Sequence, residues 1–228
     1  MDVAGKVAVI TGGASGIGLA TARQFASSGV KLVLGDIEEG PLATAVAELR
    51  ESGAEVVGVP TDVTRESDVI NLRDVALAQY GAAHVIFNNA GVAAGPTIGT
   101  PTKIWDWVLD VNLDGVIYGL NAFVPLFLEQ NEGHVVNTGS LAGLGGVPGM
   151  GAYCASKFAV VGISESLYHE FALRGANVGV SALCPGFLKT RIFESQRNMP
   201  HELVSYNEDP AARMVAEVAQ GAVQAGID

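Results

Sequence analysis

The sequence has few positive charges and almost no cysteine. Its 228 residues include 13 Lys and Arg against 24 Asp and Glu, which gives a net charge of −11. A nucleic-acid partner is therefore not expected, because phosphate binding needs a basic surface. The two cysteines are too few for a disulfide framework, and neither they nor the four histidines have metal-ligand spacing. We expect no metal site and a reducing, cytoplasmic environment.

Long apolar runs and a basic leader are also missing. No run approaches the roughly 18 apolar residues of a membrane span, and the first residues lead directly into a strand-like run. We therefore predict neither a membrane segment nor a signal peptide. Hydrophobic residues make up 49% of the chain and 29 residues are glycine, which is typical of a compact globular protein. Because no linker-like stretch interrupts residues 1–228, we predict a single domain.

Strand-like and helical segments alternate along the chain. The predicted strands are 6–11, 31–36, 55–63, 84–91, 133–140 and 177–186, and the predicted helices are 16–28, 41–53, 66–81, 100–130 and 150–174. This order predicts an α/β fold, a doubly wound Rossmann-type parallel sheet of six to seven strands with helices on both faces. A clear seventh, C-terminal strand is apparently absent. Ligands in such sheets bind at the carboxyl ends of the strands.

A glycine-rich turn, TGGASGIG (11–18), follows the first strand and opens the first helix. Glycines allow a tight turn and close approach to a ligand, and the helix N-terminus offers free N–H groups to a pyrophosphate. Asp36 closes the second strand, where an acid can accept both adenosine ribose hydroxyls and repel a 2′-phosphate. Its sequence neighbours include no Arg or Lys to hold that phosphate. We therefore predict NAD rather than NADP as the cofactor.

Six motifs in this order resemble those of the short-chain dehydrogenase/reductase family. They are TGGASGIG (11–18), TDVT (61–64), NNAG (88–91), Asn112 in DVNLDG with Ser140 at the end of strand five, YCASK (153–157) and CPGFLKT (184–190). The resemblance covers nearly the whole chain and implies a nicotinamide-dependent oxidoreductase that acts on a CH–OH group. It also implies a set of cofactor-binding residues, namely Gly12, Ser15, Gly16, Ile17, Asp36, Ile37, Asp62, Val63, Asn89, Gly91, Tyr153, Lys157, Pro185, Gly186, Leu188 and Thr190.

Within that set the resemblance assigns parts of the cofactor. The glycine-rich turn would surround the pyrophosphate, and Asp62 with Val63 would meet the adenine. Asn89 and Gly91 would line the adenosine ribose side. Leu188 and Thr190 would hold the nicotinamide carboxamide, with Pro185 and Gly186 shaping the wall beside them. Leu188 stands where the family more often has Val or Ile, but the contact expected there uses the backbone.

Tyr153 and Lys157 are four residues apart and therefore share one face of a helix. A free phenol has a pKa of about 10, and a nearby positive charge lowers it. We predict that Tyr153 is the general acid/base, that Lys157 lowers its pKa and holds the nicotinamide ribose, and that Ser140 orients the substrate oxygen. By resemblance, Asn112 would anchor a water in a proton relay. Taken singly, such residues are more typical of surface packing, a strand end and a solvent-facing helix.

The substrate wall is expected from residues 140–150, from 92–99 and from a substrate loop at about 187–207. Its apolar members are Leu141, Ala142, Met150, Phe187 and Phe193. We predict an uncharged, fairly hydrophobic secondary alcohol or ketone. Alternatives from the same family are a 3-oxoacyl-thioester reductase, a sugar or polyol reductase, and an epimerase or dehydratase. Another alternative is a non-catalytic NAD-binding sensor or scaffold on the same fold, which intact Asn112, Ser140, Tyr153 and Lys157 disfavour.

The two long helices, about 101–129 and 150–174, carry more apolar surface than one sheet face needs. Six side chains on them are candidates for a subunit interface, namely Trp105, Trp107, Val108, Phe123, Phe127 and Phe158. In the family that the sequence resembles, such helices pair two subunits. We therefore expect a homodimer or homotetramer, with a small-molecule substrate and neither nucleic acid nor membrane as partner.

Overall fold

The fold is a six-stranded parallel sheet with helices on both faces, seen in a computed structural model that describes residues 2–208 together with Pro210, Met214, Glu217 and Gly221. The strands are β1 Val7–Thr11, β2 Lys31–Asp36, β3 Val56–Pro60, β4 Val85–Asn88, β5 Gly133–Thr138 and β6 Val178–Leu183. The helices are α1 Gly16–Ser27, α2 Glu39–Glu51, α3 Glu66–Tyr80, α4 Thr102–Leu109, α5 Gly115–Gln130 and α6 Gly151–Arg174. The predicted doubly wound Rossmann-type fold is confirmed.

The strand order β3-β2-β1-β4-β5-β6 places the first strand at the centre. Ile10 of β1 is in register with Leu34 of β2 on one side and Phe87 of β4 on the other. Strands β2 and β3 are added on one side of β1, and β4, β5 and β6 on the other side. The loops that follow β1 and β4 therefore lead away from each other at the carboxyl edge of the sheet. In open α/β sheets this switch point is where ligands bind.

Two apolar clusters bury the two faces of the sheet. On one face, α1 and α2 supply Ala22, Leu42 and Leu49 to a cluster with the strand residues Ile10 and Leu34. On the other face, α3, α5 and α6 cover the sheet with a larger set of side chains. That set includes Val69, Leu72, Ala76, Ala122, Phe123, Phe127 and Phe171. Strands β1, β2 and β4 are thus buried on both faces, which explains why their sequences are nearly continuous apolar runs, whereas the edge strand β6 is exposed over its last three residues.

The predicted helix 100–130 is observed, but it is not a uniform α-helix. It starts at Thr102, with Pro101 as the N-cap, and residues Asp110–Asp114 form a π-helical segment between α4 and α5. Residues Thr102–Gln130 are apolar and long enough to cross a membrane by length and composition. In this fold Phe123 and Phe127 from that stretch are fully buried against the sheet, as in a helix that covers a core.

Four of the six interface candidates are wrong because the protomer itself buries them. Phe123 and Phe127 pack on the sheet, and Trp107 and Val108 pack beneath the loop after β4. Phe158 is 47% exposed and Trp105 is partly exposed, so only these two remain accessible. The described residues contain six strands, and most of the C-terminal stretch, in which the sequence shows no clear seventh strand, lies outside them.

Candidate active site

A cavity of about 390 Å³ follows the carboxyl edge of the sheet. One end is lined by Asp36 and Ile37, the middle by the glycine-rich turn, and the other end by Ser140, Tyr153 and Lys157. Every predicted cofactor-binding residue lines this cavity. Residues that are distant in sequence therefore come together because all six strands point to the same edge.

The glycine-rich turn presents backbone groups to the middle of the cavity. Gly12 has φ +63°, and a Cβ there would lie 2.9 Å from the Cα of Ala90, so only glycine fits between the turn and the loop after β4. Helix α1 begins at Gly16 with no acidic residue in its first turn and no side-chain cap on Ser15. Its N-terminal N–H groups stay available for an anion, which fits the pyrophosphate of a dinucleotide.

Asp36 holds its own surroundings in place at one end of the cavity. Its Oδ2 accepts the backbone N–H of Ala14 at 2.9 Å, and its Oδ1 accepts that of Glu38 at 3.0 Å. The carboxylate therefore links the end of β2 to the glycine-rich turn. Ile37 beside it is 50% exposed, although it is a large apolar side chain that lines the cavity. An exposed apolar wall beside a carboxylate fits a base next to its ribose.

Asp62 and Val63 line the same end of the cavity. The Asp62 carboxylate accepts hydrogen bonds from the N–H and the hydroxyl of Thr64 at 3.0 and 2.7 Å. It therefore stabilises the turn in which it lies. Val63 is 8% exposed and lies against Gly115 at the start of α5. These two residues thus shape the cavity mainly through backbone and apolar surface.

The loop after β4 links the two ends of the cavity. The Asn89 side-chain amide donates to the carbonyl oxygens of Thr11 and Gly12 at 3.1 and 3.2 Å, and its Oδ1 accepts the Thr138 hydroxyl at 3.2 Å. Gly91 lies beside the Asn112 amide and the Lys157 ammonium. It is therefore near helix α6, which carries Tyr153 and Lys157, and not, as we expected, on the Asp36 side.

Tyr153, Lys157 and Ser140 meet at the opposite end of the cavity. The Lys157 Nζ lies 5.6 Å from the centroid of the Tyr153 ring and donates to the carbonyl oxygen of Thr138 at 2.7 Å. Ser140 follows β5, and its Oγ accepts the N–H of Ala142 at 3.1 Å. The Ser140 hydroxyl is also within hydrogen-bonding reach of the Tyr153 phenol. The three side chains thus form one contiguous polar group.

Burial dominates the protonation of this group. It lowers the pKa of Lys157 to about 8 and raises the pKa of the Tyr153 phenol, a rise that the hydrogen bond with Ser140 opposes. The sequence predicts a lowered pKa for Tyr153, because it shows the positive charge of Lys157 four residues away but not the burial of the phenol. In the protein alone, the phenol therefore keeps its proton.

Asn112 is fully buried in the π-helical segment. Its amide donates to the carbonyl oxygen of Val92 at 2.9 Å and to the Ser156 hydroxyl at 3.1 Å, and it accepts the N–H of Val92 at 2.8 Å. The side chain therefore joins the loop after β4 to helix α6, which carries Tyr153. It does not face solvent as a lone polar helix residue would.

The segment after β6, residues 184–190, forms one wall of the cavity. Pro185, Gly186, Leu188 and Thr190 all line it, and the Pro185 carbonyl accepts the N–H of Leu141 at 3.0 Å. Thr190 lies opposite Gly16, beside the glycine-rich turn. The segment thus spans the cleft from the Ser140 side to the glycine-rich turn.

All five predicted substrate residues line the cavity. Leu141 and Phe187 are 56% and 48% exposed, so they offer free apolar surface. Trp107 and Val111 line the cavity as well. Their i,i+4 spacing indicates a shared helix face but not which surface that face lines, so the sequence alone does not assign them to the cavity.

A sequence profile described as short chain dehydrogenase matches residues 6–201. The chain belongs to the short-chain dehydrogenase family. It is similar to a short-chain dehydrogenase/reductase from Burkholderia phymatum solved in complex with NAD, with 46% identity and a TM-score of 0.95, over 99% of this chain and 82% of that one.

Named relatives in the family are dehydrogenases and reductases. A CLA biosynthesis dehydrogenase/reductase of Lactiplantibacillus plantarum is 34% identical over 87% of this chain and 70% of its own length. A 3beta-hydroxysteroid dehydrogenase 2 of Eggerthella lenta is 39% identical over 83% of this chain and 74% of its own length. The chain is therefore a member of an oxidoreductase family.

One feature of this short-chain dehydrogenase was missed from sequence. Arg191 and Arg197 from the substrate loop line the cavity at the Asp36 end, where they approach Glu38. The sequence around Asp36 contains no basic residue, but the fold brings these two from about 150 residues away. Their approach could not be read from local sequence, because it depends on how the loop after β6 crosses the cleft. Among the described residues no cluster of His, Cys, Asp or Glu could hold a metal ion.

Proposed function

We propose that this protein is an NAD-dependent oxidoreductase that interconverts a secondary alcohol and a ketone. The observation that carries the proposal is the meeting of Ser140, Tyr153 and Lys157 at one end of a cavity whose other end is Asp36. A dinucleotide laid along this cavity would place its reactive ring beside the three side chains. The family membership and the NAD-bound relative support this assignment.

The residues that would hold the cofactor follow the cavity in order. Asp36 would accept the adenosine ribose hydroxyls, the N-terminus of α1 would meet the pyrophosphate, and Lys157 would hold the nicotinamide ribose. When bound, the nicotinamide supplies the hydride acceptor or donor. The chain itself contributes binding, orientation and proton transfer.

Tyr153 is the proposed general acid/base. As an alcohol is oxidised, the phenolate oxygen takes the hydroxyl proton while the carbinol hydrogen departs with two electrons, and reduction reverses both transfers. Because burial raises the pKa of Tyr153, the phenolate needs stabilisation. The Ser140 hydroxyl and the Lys157 ammonium are the two groups placed to supply it.

Ser140 also orients the substrate oxygen in this proposal, since it lines the cavity beside the Tyr153 phenol. Asn112 acts as a positioning residue, because its three hydrogen bonds join Val92 and Ser156 around the catalytic helix. The water relay that the resemblance implies for Asn112 stays a prediction. So does the contact of Leu188 and Thr190 with the carboxamide.

The preference for NAD over NADP rests on charge. The Asp36 carboxylate lies where a 2′-phosphate would have to enter, and like charges repel at close range. Arg191 and Arg197, the two arginines that line this end of the cavity, both lie within 4.0 Å of Glu38. A 2′-phosphate would therefore meet the Asp36 carboxylate and two arginines that are already paired with Glu38.

The proposed substrate is uncharged and fairly hydrophobic. The wall beside Tyr153 is formed by apolar side chains from four segments, and the basic residues that line the cavity are Lys157 and the two arginines paired with Glu38. The similarity to a 3beta-hydroxysteroid dehydrogenase supports an apolar secondary alcohol. It does not select a steroid over another ring or chain.

A single assay tests the proposal. NAD and a panel of secondary alcohols would be incubated with the protein, with NADP in parallel, and reduced nicotinamide would be followed by absorbance. We expect turnover with NAD on an apolar alcohol. Cofactor binding without turnover in either direction, across alcohols and ketones of varied size, would favour the NAD-binding sensor instead.

Assembly and location are proposals of the same kind. We propose a homodimer or homotetramer that pairs α5 and α6, supported by exposed Phe158, Tyr168 and Leu173 on α6. A cytoplasmic location, with neither nucleic acid nor membrane as partner, also stays a prediction. Sedimentation of the wild type beside a Phe158→Glu variant would test the pairing, with dissociation of the variant as the expected result.

A further inference from the structure

We infer that the Glu38–Arg197 ion pair is a clasp that fastens the substrate loop across the Asp36 end of the cleft and sets how fast the cofactor leaves. The inference rests on the proposed function for the identity of the cofactor. It assigns to Glu38 and Arg197 a positioning role that acts on cofactor release rather than on chemistry.

The clasp joins two segments that are far apart in sequence. Arg197 Nε donates to Glu38 Oε1 at 2.9 Å, and Arg191 Nη1 lies 4.0 Å from Glu38 Oε2. The Glu38 and Arg197 side chains are only 18% and 25% exposed, so water screens the pair less than a fully exposed one. Both residues line the cavity, and the closed pair therefore lies at its rim.

Arg197 also organises the loop from which it extends. Its Nη1 donates to the carbonyl oxygens of Arg191 and Glu194 at 3.0 and 2.9 Å. One guanidinium thus holds the 3₁₀-helical segment Ile192–Asn198, which is kinked at Glu194, and reaches across the cleft at the same time. A rigid, planar donor fork of this kind suits a fixed cross-cleft contact.

Glu38 is tied in turn to the cofactor site. Its backbone N–H donates to Asp36 Oδ1, and Asp36 Oδ2 accepts the N–H of Ala14 in the glycine-rich turn. The clasp is therefore continuous with the carboxylate proposed to hold the adenosine ribose. Cofactor leaving this end of the cleft has to pass the closed pair.

The other anchor of the substrate loop is of a different kind. The Ser195 hydroxyl accepts the N–H of Ala93 at 3.1 Å, and Met199 is 6% exposed in an apolar cluster with Val92 and Trp107. Apolar burial does not weaken with salt, whereas an ion pair at a rim does. The loop should therefore open at Glu38 while its substrate end stays packed.

The test measures release of NADH in a stopped-flow fluorimeter at low and high KCl, for the wild type and for Glu38→Gln. We expect about fivefold faster release from Glu38→Gln, the size of a partly shielded ion pair, and acceleration of the wild type by salt that the variant lacks. Glu194→Gln is the matched control, because it removes a carboxylate of the same loop that pairs with Arg191 without crossing the cleft. In an Arg197→Met background, Glu38→Gln should have a much smaller effect, because only the 4.0 Å contact between Glu38 and Arg191 is left to lose.

A second measurement needs no cofactor. Trypsin cleavage after Lys189, Arg191 and Arg197 would be followed by mass spectrometry, and Glu38→Gln, which keeps every site, should be cleaved several-fold faster within the loop. Release and cleavage that are unchanged in Glu38→Gln, or equally changed in Glu194→Gln, would overturn the clasp. If NADH does not bind at all, the proposed function fails and the cleavage result alone decides the clasp.

Discussion

The two halves of the cleft are lined by different kinds of side chain. The half around the glycine-rich turn is held by short polar side chains that bond backbone groups, as Asp36 does to Ala14 and Asn89 to Gly12. The half beyond Tyr153 consists of partly exposed apolar side chains such as Leu141 and Phe187. Directional bonds fix a single shape, whereas apolar surface can be changed one residue at a time without breaking a network. The first half therefore suits one constant ligand and the second a ligand that varies within the family.

The largest expected effect separates chemistry from cofactor binding. Tyr153→Phe should lower kcat by about a thousandfold, the usual contribution of a general acid/base, because the substrate proton loses its partner. The affinity for NADH should stay within about twofold, since the phenol oxygen is only one contact among many. Tyr168→Phe, on the exposed side of the same helix, is the matched control. A Phe variant that retains half of the wild-type kcat would refute the assignment of Tyr153.

Lys157, where the two halves meet, gives the second prediction. Its pKa is lowered from the usual 10.5 to about 8 by burial, so between these pH values the unfolded chain holds more protons and stability rises with pH. At pH 7 the buried charge costs roughly 3 kcal/mol, a cost that Lys157→Met removes. The advantage of the Met variant in unfolding free energy should therefore shrink by about that amount as the pH rises from 7.5 to 10.5.

Denaturant unfolding at several pH values measures this difference. Lys103→Met, which removes an exposed lysine from α4, serves as the control for the loss of a lysine side chain. A difference for Lys157→Met that does not change with pH would mean that the buried amine keeps its ordinary pKa.

The third prediction concerns the polar half alone. Asp36→Asn should weaken NADH binding by about tenfold, because the variant loses charge-assisted hydrogen bonds to the ribose and to Ala14. Binding of NADPH should weaken less or improve, since repulsion of the 2′-phosphate is removed. Titration of both cofactors by fluorescence, beside the exposed neighbour Glu39→Gln, measures the ratio. An equal loss for both cofactors would show that Asp36 holds the turn but does not discriminate.

The smallest expected effect belongs to the apolar half. Phe187→Ala should lower kcat/KM for a bulky apolar alcohol by about fivefold relative to a small one, since roughly half of the ring is already exposed to water. NADH affinity should not change. Ile70→Ala is the control, because Ile70 lies on α3, is 36% exposed and is outside the cavity. A larger loss of cofactor affinity than of selectivity would contradict the division of the cleft.

Sequence patterns predicted which strands exist better than where each strand ends. All six strands are predicted, but the predicted strand 84–91 is too long, because β4 ends at Asn88. The next residues leave the ladder to bond Thr11 and line the cavity. An apolar run marks where a strand is buried, but its end is decided by contacts with other loops that local sequence does not contain.

The candidate site divides in the same way. The residues predicted from the glycine-rich turn and from the Tyr153 helix do line one cavity, since each set lies in a short stretch whose spacing can be seen in the sequence. Glu38 and Trp107 were missed, since a rim ion pair and a wall side chain depend on how the loop after β6 and the helix before Asn112 cross the cleft. The pKa direction of Tyr153 was wrong for a similar reason, because burial is a property of the folded chain.

The π-helical segment Asp110–Asp114 has a consequence for how the family's sequences should be aligned. A π turn takes up roughly one more residue than an α turn, so it rotates everything beyond it by about 100°. Trp107 before it can then face the cavity while Phe123 after it faces the sheet. A relative with one residue fewer here must give up one of these orientations or the inward turn of Asn112. A one-residue gap in this stretch is therefore a change in the architecture of the site, even when every motif residue is retained.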